Sequence, residues 1–290
     1  MPMPSGIRAI DLMLQIPAGN TTQWYEFMKP LLLDAESRTI FKFPAEYMFK
    51  QVPTTRPSND YVGIALDEMD KWGVERAMIG VNFLDSDARR ALKQHPDRFF
   101  GSFEINPNQG MEGVRELRRA VKELGVKAAT AFPSGMCPQV PIDDKKFFPY
   151  YAECCELGIP ICVCAGVPGP RLPMAPQHVE RIDEVCWFFP ELKFVTRHGC
   201  EPWTDLAVKL MLKYPNLYYS TSAFAPKHYP KAIVDYANTR GADKVMYAGY
   251  FPMGLSLERI FTDMPSVPFR DHVWPKFLRD NALRVFNLDT

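Results

Sequence analysis

From residue 59 onward, apolar positions recur along the chain in two alternating rhythms. Stretches such as "NDYVGIALDEMDKWG" (59–73), "DARRALKQH" and "MEGVRELRRAVKELG" carry apolar residues three and four apart and predict amphipathic helices. Each leads into a short, near-continuous apolar run. These runs are "VERAMIGV" (74–81), "FFGSFEI" (99–105), "VKAATA" (126–131), "IPICVCAG" (159–166), "LKFVTRH" (192–198), "NLYYST" (216–221) and "KVMYAGY" (244–250). With "GIRAIDL" near the N-terminus, eight strands are predicted. Gly73, Gly125, Gly158 and Gly241 stand between a helix pattern and a strand pattern, where a left-handed helix cap is expected.

Strands that are apolar on both faces and alternate with helices imply a parallel sheet covered on each side. Eight such units in one chain predict an α/β fold, a (β/α)8 TIM barrel occupying residues 1–290 as one domain. A doubly wound open sheet is the alternative, because counting strands does not prove closure. The segment 17–58 breaks the rhythm with Pro and aromatic residues. It follows strand one, so it is expected over the C-terminal mouth of the barrel, as a lid or a subunit contact, or simply as packed cover. The tail "RDHVWPKFLRDNALRVFNL" predicts a closing amphipathic helix.

Composition narrows the class. Of 290 residues, 47% are hydrophobic, enough for a large core, and Lys+Arg and Asp+Glu balance at 34 each. No net basic field is present to attract nucleic acid or an anionic membrane. No apolar run reaches the ~18 residues of a membrane span, and "MPMPSGIRAID" lacks a signal-peptide pattern, so a cytoplasmic protein is expected. Seven cysteines, none in a C-x-x-C pair, are expected to be reduced and mostly buried.

Four stretches carry a resemblance: "AIDLMLQ", "HPDRFFGSFEINP", "LKFVTRHGCEPW" and "DKVMYAGYFP", with "DNALRVFNL" at the end. Through them the chain resembles, nearly end to end, the amidohydrolase-related branch of the amidohydrolase superfamily, which includes metal-dependent decarboxylases, lactonases and hydrolases. The resemblance implies metal ligands at strand ends: His-x-His on strand one, often His on strand five, His on strand six and Asp on strand eight. Here those positions hold Met13 and Gln15, Cys164, His198 and Tyr250. Thioether and carboxamide replace imidazole poorly, and a catalytic zinc needs about three protein ligands. No metal bound by this chain is therefore expected. An unorthodox Cys164–His198–Cys200 set stays open, since Cys-His-Cys is a sound zinc set chemically.

Other residues carry weaker signals. Asp11 shares a face with Met13 and Gln15 by strand alternation, and is either a structural carboxylate or a general base. Arg171 and Lys227 could hold a carboxylate, Trp203 could wall a pocket, and Tyr250 could touch substrate. No G-x-S-x-G elbow is present.

Three functions follow. The lost ligands, the size and the apolar insertion are similar to the smaller chain of the superfamily's two-subunit metal-dependent monooxygenases, of the kind that hydroxylates 2-aminoisobutyrate. That resemblance implies a larger homologous subunit as partner, with a dinuclear iron- or manganese-type metal held there. The alternatives are a self-sufficient, metal-independent hydrolase or lactonase using His198 and Asp11, and a non-catalytic barrel that holds a small acid.

Overall fold

A computed structural model of the protein describes residues 3–4, 6–39 and 42–289, so Ile40 and Phe41 of the 17–58 insertion lie outside the described residues. Eight parallel strands lie in sequence order: β1 (Ala9–Asp11), β2 (Val74–Gly80), β3 (Phe99–Glu104), β4 (Ala128–Ala131), β5 (Ile161–Cys164), β6 (Phe194–Arg197), β7 (Leu217–Ser220) and β8 (Val245–Met246). Helices Tyr61–Trp72, Ser86–Gln94, Gly110–Leu124, Phe148–Leu157, Arg181–Phe188, Thr204–Lys213 and Lys231–Thr239 precede β2 to β8 in turn. The architecture is a (β/α)8 barrel.

Alternation along the strands sorts the apolar residues into two cores. Ile79, Phe103, Val163, Phe194 and Tyr219 pack outward against the helices, with Leu117, Tyr151 and Ile182. Ile10, Met78, Phe100, Cys162, Val195, Tyr218 and Met246 pack inward. Ala282, Val285 and Phe286 of the last helix join this inner core, with the Phe286 ring 5.9 Å from that of Phe100. The tail thus plugs the end of the barrel where the strands begin and leaves the other end free for a site. That tail is not one regular helix. A π turn, Lys276–Asp280, separates Val273–Pro275 from Asn281–Phe286. Just beyond it the buried Asn281 donates from Nδ2 to the carbonyls of Ala242 (2.7 Å) and Val245 (3.0 Å).

The barrel closes where β1 meets the chain after β8. Leu14 and Phe251 form a parallel bridge, and the Gln15 amide donates to the Phe251 carbonyl at 2.9 Å. Below that bridge a side chain does the joining. Asp11 is fully buried; its Oδ1 accepts from the Gly249 amide (2.7 Å) and the Met13 amide (2.9 Å), and its Oδ2 accepts from the Tyr247 hydroxyl (3.0 Å). Gly249 has to be glycine here, because a Cβ would sit 2.4 Å from Asp11 Oδ2. β8 is shorter than its apolar run for the same reason: the backbone past Met246 bonds to side chains, with the Ala248 amide on Thr221 Oγ1 and the Gly249 amide on Asp11.

Gly73, Gly125 and Gly158 adopt the left-handed cap, whereas Gly241 does not. Its glycine is explained by close approach instead, since a Cβ would meet the Tyr236 ring at 2.3 Å.

Removing the carboxylate of Asp11 leaves two buried backbone donors and a phenol unpaired, each costing about 1–3 kcal/mol. Asp11→Ala is therefore expected to lower the unfolding free energy by about 3–5 kcal/mol. Asp11→Asn, which keeps one acceptor oxygen, should lower it by about a third as much. Urea unfolding of the two variants checks this; equal, small losses would remove the closing role.

Candidate functional site

At the C-terminal ends of the strands lies a cavity of about 1180 Å³. Its floor is made by Met13, Gln15, Glu104, Thr130, Cys164, Arg197 and His198, and its roof by the insertion, through Trp24, Tyr25, Phe27, Phe43, Met48 and Phe49. Tyr25, Met28, Leu32, Phe43 and Ala45 form a small core of their own with Leu172 from the loop after β5. The insertion is held down at several points. Tyr47 donates to the Gly169 carbonyl (2.7 Å), and Arg259 donates to the Lys50 carbonyl (2.9 Å). The Tyr250 ring lies 5.5 Å from Phe49 and 6.2 Å from Phe43.

Several sequence expectations are corrected by placement. Asp11 does not face the cavity with Met13 and Gln15, because its bond to the Met13 amide turns the chain and breaks the alternation. It faces the wall between β1 and β8 instead. Burial raises the Asp11 carboxyl above the usual carboxylate range, with the bonds from Gly249, Met13 and Tyr247 opposing that rise. Arg171 is not free to hold a ligand: it pairs with Asp34 (2.9 Å) and Glu36 (2.8 Å) and covers the Tyr47 ring, fastening the insertion. Trp203 packs against the His178 ring at 3.9 Å, outside the cavity. Lys227 stands exposed on the cavity lining, and Tyr250 lines it beside His198, ring to ring at 5.5 Å.

The positions that resemble metal ligands are engaged with the chain itself. Gln15 Oε1 accepts from the Gly80 amide (3.1 Å). Met13 Sδ accepts from Arg197 Nη2 (2.8 Å). The Arg197 guanidinium also lies within electrostatic reach of Cys164, Glu104, Cys162 and Tyr250. Burial pushes the Cys164 thiol up to about 12, so it holds its proton. Burial, with the Arg197 charge second, pushes His198 down to about 3. Its Nδ1 lies 3.3 Å from the Ser222 hydroxyl, which accepts from the His198 amide (3.0 Å). Cys200 packs into the outer core, so the Cys164–His198–Cys200 set does not assemble. Among the described residues no group of three or more His, Cys, Asp or Glu side chains converges.

Two residues that sequence reasoning passed over sit in the cavity. Arg197 reaches it by ordinary strand alternation, two residues on from the inward Val195, and His198, at φ +62°, takes a left-handed turn that points the next residue inward as well. Glu104 closes β3, accepting from Thr130 Oγ1 at 2.6 Å. It is open to the cavity but ringed by protein; burial raises its carboxyl, with the Arg197 charge opposing. A lone carboxylate ending an apolar barrel strand was the available signal.

Comparison with known proteins fits this geometry. The amidohydrolase family profile matches residues 44–288. The chain belongs to the amidohydrolase family. No curated protein matches it. Among solved structures, this chain is similar to an uncharacterized TIM-barrel protein from Bordetella bronchiseptica, at 22% identity over 97% of this chain and 99% of that one, with a TM-score of 0.73. It is also similar to 5-carboxyvanillate decarboxylase from Novosphingobium aromaticivorans, complexed with manganese and a nitrobenzoic acid, at 17% identity over 98% and 97% of the chains, with a TM-score of 0.68. 2,6-Dihydroxybenzoate decarboxylase from Rhizobium matches at 18% identity over 99% and 100%, with a TM-score of 0.66. At these identities the likeness is one of fold. A metal centre of the family's kind does not fit the residues present here. The strand-one donors are a thioether and an amide already bonded within the chain, and a guanidinium stands among the remaining positions.

A folded-state value near 3 against an ordinary 6.5 means that neutral His198 stabilises the fold above pH 6.5, and this contribution is lost as the pH falls from 6.5 toward 3. Between pH 7 and 4 the protein is expected to lose a few kcal/mol through this group. His198→Gln should flatten that part of the profile in denaturant titrations run at stepped pH, while an unchanged slope would show that the imidazole titrates freely.

Proposed function

We propose that this amidohydrolase-fold chain is the ligand-poor subunit of a hetero-oligomer, and that it supports a larger related barrel which carries the metal centre of a monooxygenase. Support comes first from the floor of the cavity. The barrel and its roof are intact, while Met13 and Gln15 spend their acceptor atoms on Arg197 and Gly80. A barrel that keeps its fold but commits its ligand positions elsewhere fits a supporting role better than metal-dependent turnover of its own.

The surface of the insertion adds to this. Phe27, Leu33, Tyr47 and Met48 expose roughly half to three quarters of their area. Large apolar side chains gathered on one segment are a feature of subunit contacts, where burial of each contributes about 1.5–3 kcal/mol. The larger chain would supply the dinuclear iron or manganese centre, and this chain would cover or complete its site. A metal-free hydrolase built on His198 and Asp11 has less support, since Asp11 lies in the barrel wall and His198 stays neutral.

Co-expression with a larger homologue that keeps an intact His-x-His is expected to give a stable mixed complex on size-exclusion chromatography, and expression alone to give self-associated material. Leu33→Asp should weaken the mixed complex at least about tenfold without lowering the melting temperature of this chain. A monodisperse chain that binds no such homologue would defeat the proposal.

A further inference from the structure

The Arg197 guanidinium is the least satisfied charge in the cavity. It carries five N–H donors. Its Nη2 meets only a thioether, a weak acceptor, and its Nε is buried with no hydrogen-bond partner. Among the described residues no carboxylate lies within ion-pair distance of it; Glu104 acts on it only from farther off and is itself bonded to Thr130. Burial opposes this charge, and the surrounding Cys164, Glu104, Cys162 and Tyr250 groups offset that burial through space, so the guanidinium stays charged while its hydrogen-bonding capacity is poorly used. The barrel nonetheless builds a close frame around it, with Met13 in contact and Cys164, Tyr250 and His198 near enough to feel its charge. Those four are among the five positions where the family resemblance implies metal ligands, Gln15 being the fifth.

We propose that Arg197 is a built-in cation standing in place of the metal, and that it seats the carboxylate of a small organic acid without any metal ion. The fork of a guanidinium matches a carboxylate in two parallel hydrogen bonds, which a bound ion of spherical charge does not require. The part of the half-buried guanidinium that reaches the cavity lining supplies the donors, while Nε stays enclosed in the wall. The body of the acid lies against the aromatic roof, where Phe43, Phe49 and Phe132 line the same cavity. Charge selection comes from Arg197 and shape selection from the roof. The exposed Lys227 at the lining adds a long-range attraction for anions and no fixed contact. The site lies wholly within this chain and does not depend on a partner subunit.

The test uses the purified full chain, together with its larger partner if the two co-purify, after treatment with a chelator. Benzoate is titrated calorimetrically against benzamide, which has the same shape without the charge. Benzoate is expected to bind at millimolar concentration or better, and benzamide at least about tenfold more weakly. Arg197→Met should weaken benzoate about 10- to 100-fold while leaving benzamide unchanged. If Arg197→Met does not fold, Arg197→Gln serves, and the wild-type comparison of acid with amide stands by itself. Four results overturn the proposal: no benzoate binding, equal binding of acid and amide, unchanged benzoate affinity in a folded Arg197 variant, or benzoate binding that appears only when manganese or zinc is added back.

Discussion

A single buried carboxylate joins the two ends of the barrel sheet. Asp11 on β1 accepts from the amide of Gly249 and the hydroxyl of Tyr247, both beyond β8, and from the amide of Met13 on its own segment. The first two bonds hold the sheet closed where no regular ladder runs. The third bends the chain just after β1. Closure and site geometry are therefore coupled: the bond that completes the wall also decides which side chains the first strand delivers to the mouth. Met13 and Gln15 reach the cavity because the strand turns at Asp11, and Asp11 is spent in turning it. Gly249 belongs to the same constraint, since any side chain there would push the carboxylate off.

Given that closure, the chemistry of the mouth follows from charge. A relative such as 5-carboxyvanillate decarboxylase holds manganese, a positive charge carried by a separate ion. Here the positive charge is covalently attached, on Arg197, with Met13, Cys164, Tyr250 and His198 around it. A thioether is a tolerable neighbour for a guanidinium and a poor ligand for a hard cation. A thiol held protonated and an imidazole held neutral add no competing charge. Reversion to a metal site would need more than new histidines at positions 13 and 15, because the guanidinium would still repel the ion from the same space.

The alternation of helices and buried strands was legible because burial on both faces of a parallel strand leaves a continuous apolar run. The residues at the positions where the resemblance implies ligands, Met13, Gln15, Cys164, His198 and Tyr250, were legible too. Directions were not. Strand alternation assigned Asp11 to the cavity, and a single side-chain-to-backbone bond overrode it. Arg197 follows alternation from the inward Val195, and the left-handed backbone of His198 brings the next residue inward too, which no sequence pattern signals. Arg171 and Trp203 looked like loop residues free to meet a ligand. Their partners, Asp34, Glu36 and His178, are distant or unremarkable in sequence and near only in space. Long-range pairing of surface charges leaves no periodic trace, which is why the fastening of the insertion by Arg171 could be seen only in three dimensions.

The insertion ties the two proposals together physically. Its inner side packs on Tyr250 and roofs the cavity, while Leu33 and Tyr47 are exposed away from it. Its fastenings to the barrel are mostly exposed ion pairs and single hydrogen bonds, which contribute little each. A segment held this weakly gains most of its rigidity from whatever rests on its faces. An acid on Arg197 would brace it from below, and a subunit on its apolar side would brace it from above. Each would then find the other's work of ordering the segment already done, so binding at the two faces would be mutually strengthening with no change in the barrel beneath.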